Sequence, residues 1–216
     1  MPDIVVSDVM MPVMDGLAFC TRLKQHEATS HIPVLLLTAR SSEQQCIEGL
    51  QTGADIYMTK PFSADLLLAN IASLLANRQK LRQLFNTSIL NTSTPHHLNI
   101  QHSTSPSPDR RFLDTFLKAM EKHMSNTNLK IEDLGGEVGL SRVQLYRKVK
   151  ALTGMTPVEI LRETRLKRAM QLLKTTDKTV SEIANEVGFA TPGYFSSCFK
   201  KQYDKYPTDV REEMKV

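Results

Sequence analysis

Three polar side chains in the first third of the chain come at, or just after, the ends of short apolar runs. They are a carboxylate (Asp8), a hydroxyl (Thr38) and an amine (Lys60). If the runs are neighbouring strands of an open α/β sheet, their carboxyl ends meet at one edge, where such sheets bind ligands. A carboxylate placed there could accept a phosphoryl group, with a cation beside it to neutralise the developing charge. The hydroxyl and the amine are thus the neighbours that a phosphate-accepting carboxylate at position 8 would need.

The elements that must position these side chains alternate between strand and helix patterns. Continuous apolar runs are typical of strands buried on both faces of a parallel sheet. We predict strands over residues 3–7, 33–38 and 55–58, and helices near 16–26, 42–52 and 63–84. The order β-α-β-α-β-α predicts an α/β domain over residues 1–85.

The composition changes after this domain. Residues 86–108 are rich in Ser, Thr, Asn, Pro and His, which predicts a flexible linker. We interpret His96, His97 and His102 as part of a solvated tether rather than as metal ligands. A second domain is then expected over residues 109–216.

Bulk properties limit the kind of protein. The 216 residues suffice for two ordinary domains, and no apolar run reaches the length of a membrane span. The N-terminus lacks the layout of a signal peptide. Three widely spaced cysteines (Cys20, Cys46 and Cys198) indicate a reducing cytoplasm without a disulfide framework.

The second half of the chain contains an internal repeat. Residues 131–141 reappear as residues 180–190, and after a one-residue insertion Leu145 matches Phe195 and Pro157 matches Pro207. Two copies of a helix, a glycine-containing turn and a second helix predict paired helix-turn-helix units at about 129–152 and 179–203. Residues 1–108 hold 7 Lys+Arg against 8 Asp+Glu, whereas residues 109–216 hold 20 against 15. The positive excess lies in the repeat-bearing half, which favours DNA as its partner.

Helical periodicity divides the second helix of each unit into an inner and an outer face. The predicted inner residues are Leu145, Val149 and Leu152 in the first unit and Phe195, Phe199 and Gln202 in the second. The predicted DNA-contacting residues are Arg142, Val143, Tyr146, Arg147 and Lys150, followed by Gly193, Ser196, Ser197, Lys200 and Lys201. Arg147 is the strongest candidate, because a guanidinium can pair bidentately with guanine. Lys200 and Lys201 are expected to hold phosphates.

A helix over 157–174 separates the two units. At 1.5 Å per residue it spans about 27 Å, compared with roughly 34 Å between successive major-groove faces. Such a rod could set two recognition helices on one side of the duplex.

The second half resembles the AraC-type DNA-binding domain of bacterial transcription regulators, over about 110–214. The matching motifs are Leu145-Tyr-Arg-Lys-Val-Lys150, Arg165-Leu166-x-x-Ala169-x-x-Leu172-Leu173, Ile183-Ala184-x-x-Val187-Gly188-Phe189, Phe195-x-x-x-Phe199-Lys200-Lys201 and Tyr206-Pro207. The resemblance implies two helix-turn-helix units joined by a long helix. The pair Gly135-Gly136 departs from the family pattern, and we expect it to make the first unit less rigid, because helical glycine costs roughly 1 kcal/mol against alanine.

The first half resembles the receiver domain of two-component response regulators. The resemblance rests on Ser7-Asp8-Val-Met10-Met-Pro12-Val-Met-Asp15-Gly16, together with Thr38, Tyr57 and Lys60-Pro61. It implies Asp8 as phosphoacceptor, Thr38 as switch hydroxyl, Tyr57 as switch aromatic and Lys60 as the phosphate-pairing lysine before a cis proline. Asp8 and the Met10 carbonyl would be ligands of Mg²⁺, and Asp15 is expected to shape the loop.

Receivers open with a strand whose acidic pair completes the Mg²⁺ site, whereas this chain starts directly at the phosphoacceptor strand. We therefore expect a fragment or a misplaced start, with Mg²⁺ bound only if the acidic pair is restored. The 4–6 strand would then be an exposed apolar edge.

Together these features predict a transcription regulator of a two-component phosphorelay, not an enzyme. Its expected partners are promoter DNA, a histidine kinase in trans or in the same longer chain, RNA polymerase and a second copy on DNA. The layout resembles the C-terminal end of a hybrid sensor, with no direct membrane contact in this chain. Two alternatives stay open: a phosphorylation-independent DNA-binding or dimerisation module whose receiver is only an interaction surface, and an acyl-phosphate hydrolase built on Asp8.

Overall fold

The computed structural model describes residues 2–39, 51–91 and 107–213 of the chain. Most of the predicted 42–52 helix and most of the predicted linker lie outside these residues. Two compact units emerge: Met1–Asn86 with Val143–Gly154, and Thr87–Arg142 with Met155–Val216. The segment 143–154, which the sequence assigns to the second domain, thus belongs to the compact unit of the first.

The described elements alternate in the first part of the chain and are all helical in the second. In chain order they are β1 (Val5–Asp8), α1 (Gly16–Gln25), β2 (Val34–Thr38), β3 (Ile56–Thr59), α2 (Ala64–Asn91), α3 (Pro108–His123), α4 (Ile131–Glu137), α5 (Arg142–Thr153), α6 (Pro157–Thr175), α7 (Val180–Glu186), α8 (Pro192–Tyr203) and α9 (Pro207–Glu213).

The sheet of the first unit is parallel, in the order β1-β2-β3. This confirms the three predicted strands and the predicted α/β class. The central strand is the most buried, since Val34, Leu35 and Leu36 are fully inaccessible. β1 lies at an edge of the described sheet, and Val6 there is 41% exposed.

Helix α2 runs beyond its predicted end. It continues to Asn91, so the linker predicted from residue 86 begins inside a helix. The stretch from Ala64 to Asn91 contains neither glycine nor proline. Polar composition alone lowers helix propensity only slightly, whereas Gly and Pro are the residues that interrupt a helix.

Capping boxes fix where two helices of the second unit, α6 and α7, begin. The Thr156 hydroxyl accepts from the Glu159 amide at 3.2 Å, and the Glu159 carboxylate accepts from the Thr156 amide at 2.7 Å. Thr179 and Glu182 repeat the arrangement at α7, with 3.3 and 2.7 Å. Each box satisfies amides that a helix N-terminus leaves without partners.

An aromatic chain fills the core of the second helix-turn-helix unit. Ring centroids lie 5.6 Å apart between Phe195 and Phe199, and 4.8 Å apart between Phe199 and Tyr203. The prediction that Gln202 faces inward is wrong, because Gln202 is exposed. Tyr203, four residues after Phe199, packs against the core instead.

Helix α9 closes the same unit. Val210 is buried in its core. Arg211 donates to the backbone carbonyls of Thr176 and Lys178, in the segment between α6 and α7. The C-terminal helix therefore holds the entry to the second helix-turn-helix.

Candidate phosphoacceptor site and nucleic-acid interface

The carboxylate at the end of β1 is held in its ionised form. Lys60 donates to one oxygen of Asp8, and the Met10 amide donates to the other at 3.0 Å. Both contacts lower the pKa of Asp8 below its ordinary value, with the Lys60 hydrogen bond as the larger cause. The Asp8 side chain is 33% exposed, so an ionised carboxylate faces solvent.

The sheet register brings Thr38 and Lys60, two of the other predicted receiver residues, to the same edge. Asp8 pairs with Leu37, and Thr38 pairs with Thr59, so the ends of the three strands are level. Thr38 is fully buried, and its carbonyl accepts from the Lys60 amide at 2.6 Å. Tyr57 lies further back on β3, half-buried against the core. The peptide bond between Lys60 and Pro61 is cis, as the resemblance implied.

The loop after β1 is shaped by two residues. Asp15 caps α1, accepting from the Ala18 amide at 2.7 Å, which agrees with its expected loop-shaping role. Gly16 donates its amide to the Val9 carbonyl at 2.9 Å. A β-carbon at Gly16 would overlap the Asp8 carbonyl oxygen. Glycine is therefore required for the loop to turn back beside β1.

The described residues do not by themselves fit a magnesium ion. Among them no three His, Cys, Asp or Glu side chains come together as metal ligands. Both oxygens of Asp8 are already engaged by protein donors. One carboxylate and a backbone carbonyl fall short of the six oxygens that Mg²⁺ prefers.

Helix α5 separates a buried face from an exposed one, largely as predicted. Leu145 and Val149 are fully buried and Leu152 is 7% exposed. The predicted DNA-contacting side chains are exposed, except Tyr146, which is half-buried; the exposed ones are Arg142, Val143, Arg147 and Lys150. Arg142 is also paired with Glu132 at 3.0 Å.

Lys148, in the middle of α5, was given no role by the sequence. Its side chain is fully buried, and its ammonium contacts the Glu27 carboxylate at 2.9 Å and the Ser30 hydroxyl at 3.1 Å. Its position three residues after Leu145 places it beside the inner face, which is the one signal that could have indicated burial.

The outer face of α8 is smaller and less charged at its start. Gly193, Ser197, Lys200 and Lys201 are exposed, and Ser196 is half-buried. The Ser197 hydroxyl donates back to the Gly193 carbonyl at 3.1 Å. The Lys200 ammonium lies 4.2 Å from the centre of the Tyr206 ring and 3.1 Å from its hydroxyl. These contacts fix the orientation of Lys200.

Tyr194 is an exposed residue of this face that the sequence interpretation missed. It is 58% exposed, and its ring lies 5.9 Å from that of Phe189. Its position three residues before Ser197 puts it on the outer face. The periodicity therefore contained the signal.

The two helix-turn-helix units share the same turn. Gly139 and Gly188 have positive φ angles of 68° and 86°. The residue after each glycine donates its amide to the earlier helix: Leu140 to the Gly135 carbonyl and Phe189 to that of Ala184, both at 2.9 Å.

This closing contact explains one of the two glycines expected only to reduce rigidity. A β-carbon at Gly135 would lie 2.5 Å from the Leu140 carbonyl oxygen. Gly136 has open space around it.

Helix α6 forms the predicted rod. Its 19 residues correspond to about 28 Å of helix. Arg165 braces it by donating to the carbonyls of Met124 at 3.0 Å and Asn126 at 2.7 Å. Burial lowers the pKa of this guanidinium.

Known proteins match the two halves separately and together. Residues 1–72 match the response regulator receiver domain, and residues 134–213 match a helix-turn-helix domain. Histidine kinase P4 of Formosa agariphila is 40% identical over 211 residues, which is 98% of this chain and 15% of that protein. The DNA-binding dual master transcriptional regulator RpaA of Synechocystis is 43% identical over 82 residues, 38% of this chain and 34% of that protein. The C-terminal domain of AraT, a response regulator from Geobacillus stearothermophilus, is 29% identical with a TM-score of 0.46, covering 52% of this chain and 88% of that one.

The chain therefore carries a region that matches the response regulator receiver domain, followed by a region that matches a helix-turn-helix domain. It spans about a seventh of the kinase relative and about a third of the regulator relative. Within the described residues, no helix is both long and apolar enough to cross a membrane.

Proposed function

We propose that the chain is the response-regulator part of a two-component phosphorelay and binds promoter DNA in a sequence-specific way. The observation that carries this proposal is the recurrence of one helix-turn-helix geometry in both repeats. The turns at Gly139 and Gly188 share a positive φ and the same closing hydrogen bond. Each turn leads into a helix with exposed polar side chains, as recognition helices require.

Helix α5, the first recognition helix, makes the more specific contacts with the bases. The Arg147 guanidinium is exposed on α5 and can donate two hydrogen bonds to a guanine. Val143 and Tyr146 can contact thymine methyl groups, and Lys150 and Arg142 can hold phosphates. Helix α8, the second recognition helix, contacts bases with lower specificity through Gly193, Ser196 and Ser197. Its Lys200 and Lys201 bind phosphates.

The receiver supplies the signal input. An oxygen of Asp8 attacks a phosphohistidine, forming an O–P bond as the P–N bond to the histidine breaks. Lys60 neutralises the phosphoryl group, Thr38 hydrogen-bonds it, and Tyr57 responds as the switch aromatic. The phosphohistidine belongs to a kinase in trans or in the same longer chain. The alignment of nearly the whole chain with part of a histidine kinase supports the second arrangement.

Mg²⁺, when bound, would shield the charge of the phosphoryl group beside Asp8. The Met10 carbonyl is the second ligand that this chain would offer. The remaining oxygens would have to come from outside the described residues, which form no cluster of metal-ligating side chains.

Regulation of transcription implies further partners. We propose that two copies bind adjacent sites on promoter DNA in the cytoplasm and contact RNA polymerase there. Helix-turn-helix regulators act by binding, so no catalytic turnover is assigned to the chain.

A phosphorylation-independent module is the second candidate. The incomplete set of metal ligands among the described residues favours it. In that case the receiver serves only as an interaction surface and DNA binding is constitutive.

Selection from a pool of random duplexes tests the DNA-binding proposal. We expect enrichment of a motif that spans two adjacent major grooves, bound with a steep loss of affinity as salt rises. Arg147→Ala should weaken binding by roughly 1–3 kcal/mol and relax one base position. Arg168→Ala is the matched control, because Arg168 is an exposed arginine outside both recognition helices. No enrichment at low ionic strength would contradict the proposal.

Incubation with a small acyl phosphate separates the two candidates. We expect a mass increase of one phosphoryl group that is absent in Asp8→Asn, together with a change in DNA affinity. DNA binding that is specific, without any phosphorylation of Asp8, would favour the phosphorylation-independent module.

A further inference from the structure

We propose that the receiver carries an internal docking surface for the first recognition helix, and that DNA must displace the helix from it. This surface consists of Glu27, Ser30 and Arg82, and we call it the helix dock. The proposal rests on the proposed DNA-binding function, which gives the displacement its consequence. The dock and residues 143–153 of α5 belong to the same compact unit.

The first contact is a buried ammonium group. Lys148 has no exposed side-chain area. Its Nζ donates to the Glu27 carboxylate at 2.9 Å, to the Ser30 hydroxyl at 3.1 Å and to the Glu27 backbone carbonyl. An ammonium has three donors, and all three find acceptors on the dock. Because a buried charge is tolerated only when paired, Glu27 is the residue that makes this burial possible.

The second contact grips the end of the same helix. Arg82 donates from Nε to the Ala151 carbonyl at 2.6 Å. Ala151 lies in the last turn of α5, where carbonyls lack helical partners and cations are favourable. The dock thus holds α5 at its middle and at its C-terminal turn.

Helix α5 cannot enter the major groove of DNA while it is held by the dock. Arg147 and Lys150 line a cavity of about 360 Å³ together with Arg78, Arg82 and His31. A helix with its side chains is roughly 10–12 Å across, and the major groove is about 12 Å wide. Arg78 and Arg82 belong to α2. The groove therefore has no room for α2 beside the outer face of α5. The helix must leave the dock before it can read bases.

The cavity also explains why the dock can be released. Four cationic side chains line it: Arg78, Arg82, Arg147 and Lys150. Burial, and after it Arg78, Lys148, Lys24 and Arg82, lowers the pKa of His31 beside them to about 3. The repulsion opposes docking, and the Glu27 carboxylate offsets it. A second anion, such as a DNA phosphate, would be attracted to the cations of the cavity and would compete with Glu27 for Lys148.

The dock lowers the apparent affinity for DNA. When only a fraction of molecules has α5 free, the apparent dissociation constant rises in inverse proportion to that fraction. Glu27 is 47% exposed, so its loss should weaken docking by the amount of a partly exposed ion pair. We expect Glu27→Gln to tighten DNA binding on the order of fivefold.

The experiment measures two quantities on the full chain. DNA affinity is determined by fluorescence anisotropy with a duplex enriched from the random pool. Glu213→Gln removes the same charge from an exposed pair, Lys205–Glu213 at 2.6 Å, and controls for the change in net charge. We expect less than about twofold tightening for this control, because it touches no recognition helix.

Lysine reactivity tests the dock without DNA. An amine-reactive reagent with mass-spectrometric readout should modify exposed Lys150 readily and Lys148 slowly in the natural chain. In Glu27→Gln the two rates should approach each other. Equal rates for Lys148 and Lys150 in the natural chain, or unchanged affinity and reactivity in Glu27→Gln, would overturn the dock. If no duplex is enriched but Lys148 is protected, the DNA-binding proposal fails while the dock stands.

Discussion

The turn of the second helix-turn-helix offers a sharp test of the packing. Gly188 has φ 86°, and a β-carbon there would lie 2.7 Å from the Arg165 guanidinium and closer still to the Met124 carbonyl oxygen. A left-handed backbone costs an L-residue roughly 1–2 kcal/mol, part of which is recovered through the unfolded chain. Forcing an extra carbon into a packed site adds about 1–3 kcal/mol. We expect Gly188→Ala to lower the free energy of unfolding by about 3 kcal/mol.

Gly139 provides the matched control within the same chain. It occupies the equivalent turn with φ 68°, but a β-carbon there meets no atom within 4 Å. Gly139→Ala should therefore cost only the conformational part, about 1 kcal/mol. Urea unfolding followed by far-ultraviolet circular dichroism measures both, with midpoint shifts of about 2 M and under about 1 M. Equal costs for the two substitutions would refute the role of the Met124–Arg165 contact.

Further predictions concern the first turn, the acceptor site and the cavity. Gly136→Ala should stabilise α4 by about 1 kcal/mol, whereas Gly135→Ala should destabilise it by a similar amount or more; urea midpoints of opposite sign check this. Lys60→Met should raise the pKa of Asp8 toward its ordinary 3.8, which a carbon-13 titration of the carboxyl group measures. The pKa of His31 is about 3 in the folded chain and 6.5 in the unfolded chain, so between these values the unfolded chain binds a proton that the folded chain does not. With respect to this group, the folded state is therefore fully stable above pH 6.5 and loses stability as the pH falls toward 3. Lowering the pH from 7.5 to 5 should cost about 2 kcal/mol through this group, and His31→Phe should remove that part of the pH dependence in unfolding experiments.

The local patterns predicted the elements that carry chemistry. Three apolar runs predicted the strands. Their shared edge predicted that Asp8 and Lys60 lie close together, because the carboxyl ends of neighbouring parallel strands meet at one edge of the sheet. The repeat predicted both helix-turn-helix units, since the turn requires glycine at one position in each. These features depend on residues close in sequence or on regular geometry.

Contacts between residues far apart in the sequence could not be predicted from the sequence pattern. Lys148 and Glu27 lie 121 positions apart, and helical periodicity says nothing about which acid meets a buried amine. The role of Gly135 was likewise missed, because the carbonyl that excludes a side chain belongs to the following turn. The true end of α2 was obscured because polar composition is a weak guide to helix ends unless Gly or Pro is present.

Helix α9 stabilises the second helix-turn-helix unit through Arg211, so we expect its removal to destabilise that unit. A premature stop codon ahead of Pro207 would take away the donor for the Thr176 and Lys178 carbonyls and uncover the pocket that Val210 fills. The second helix-turn-helix unit would then lose these stabilising contacts although its own residues were unchanged. Fusion partners are better attached beyond Glu213 through a spacer than substituted for the final helix.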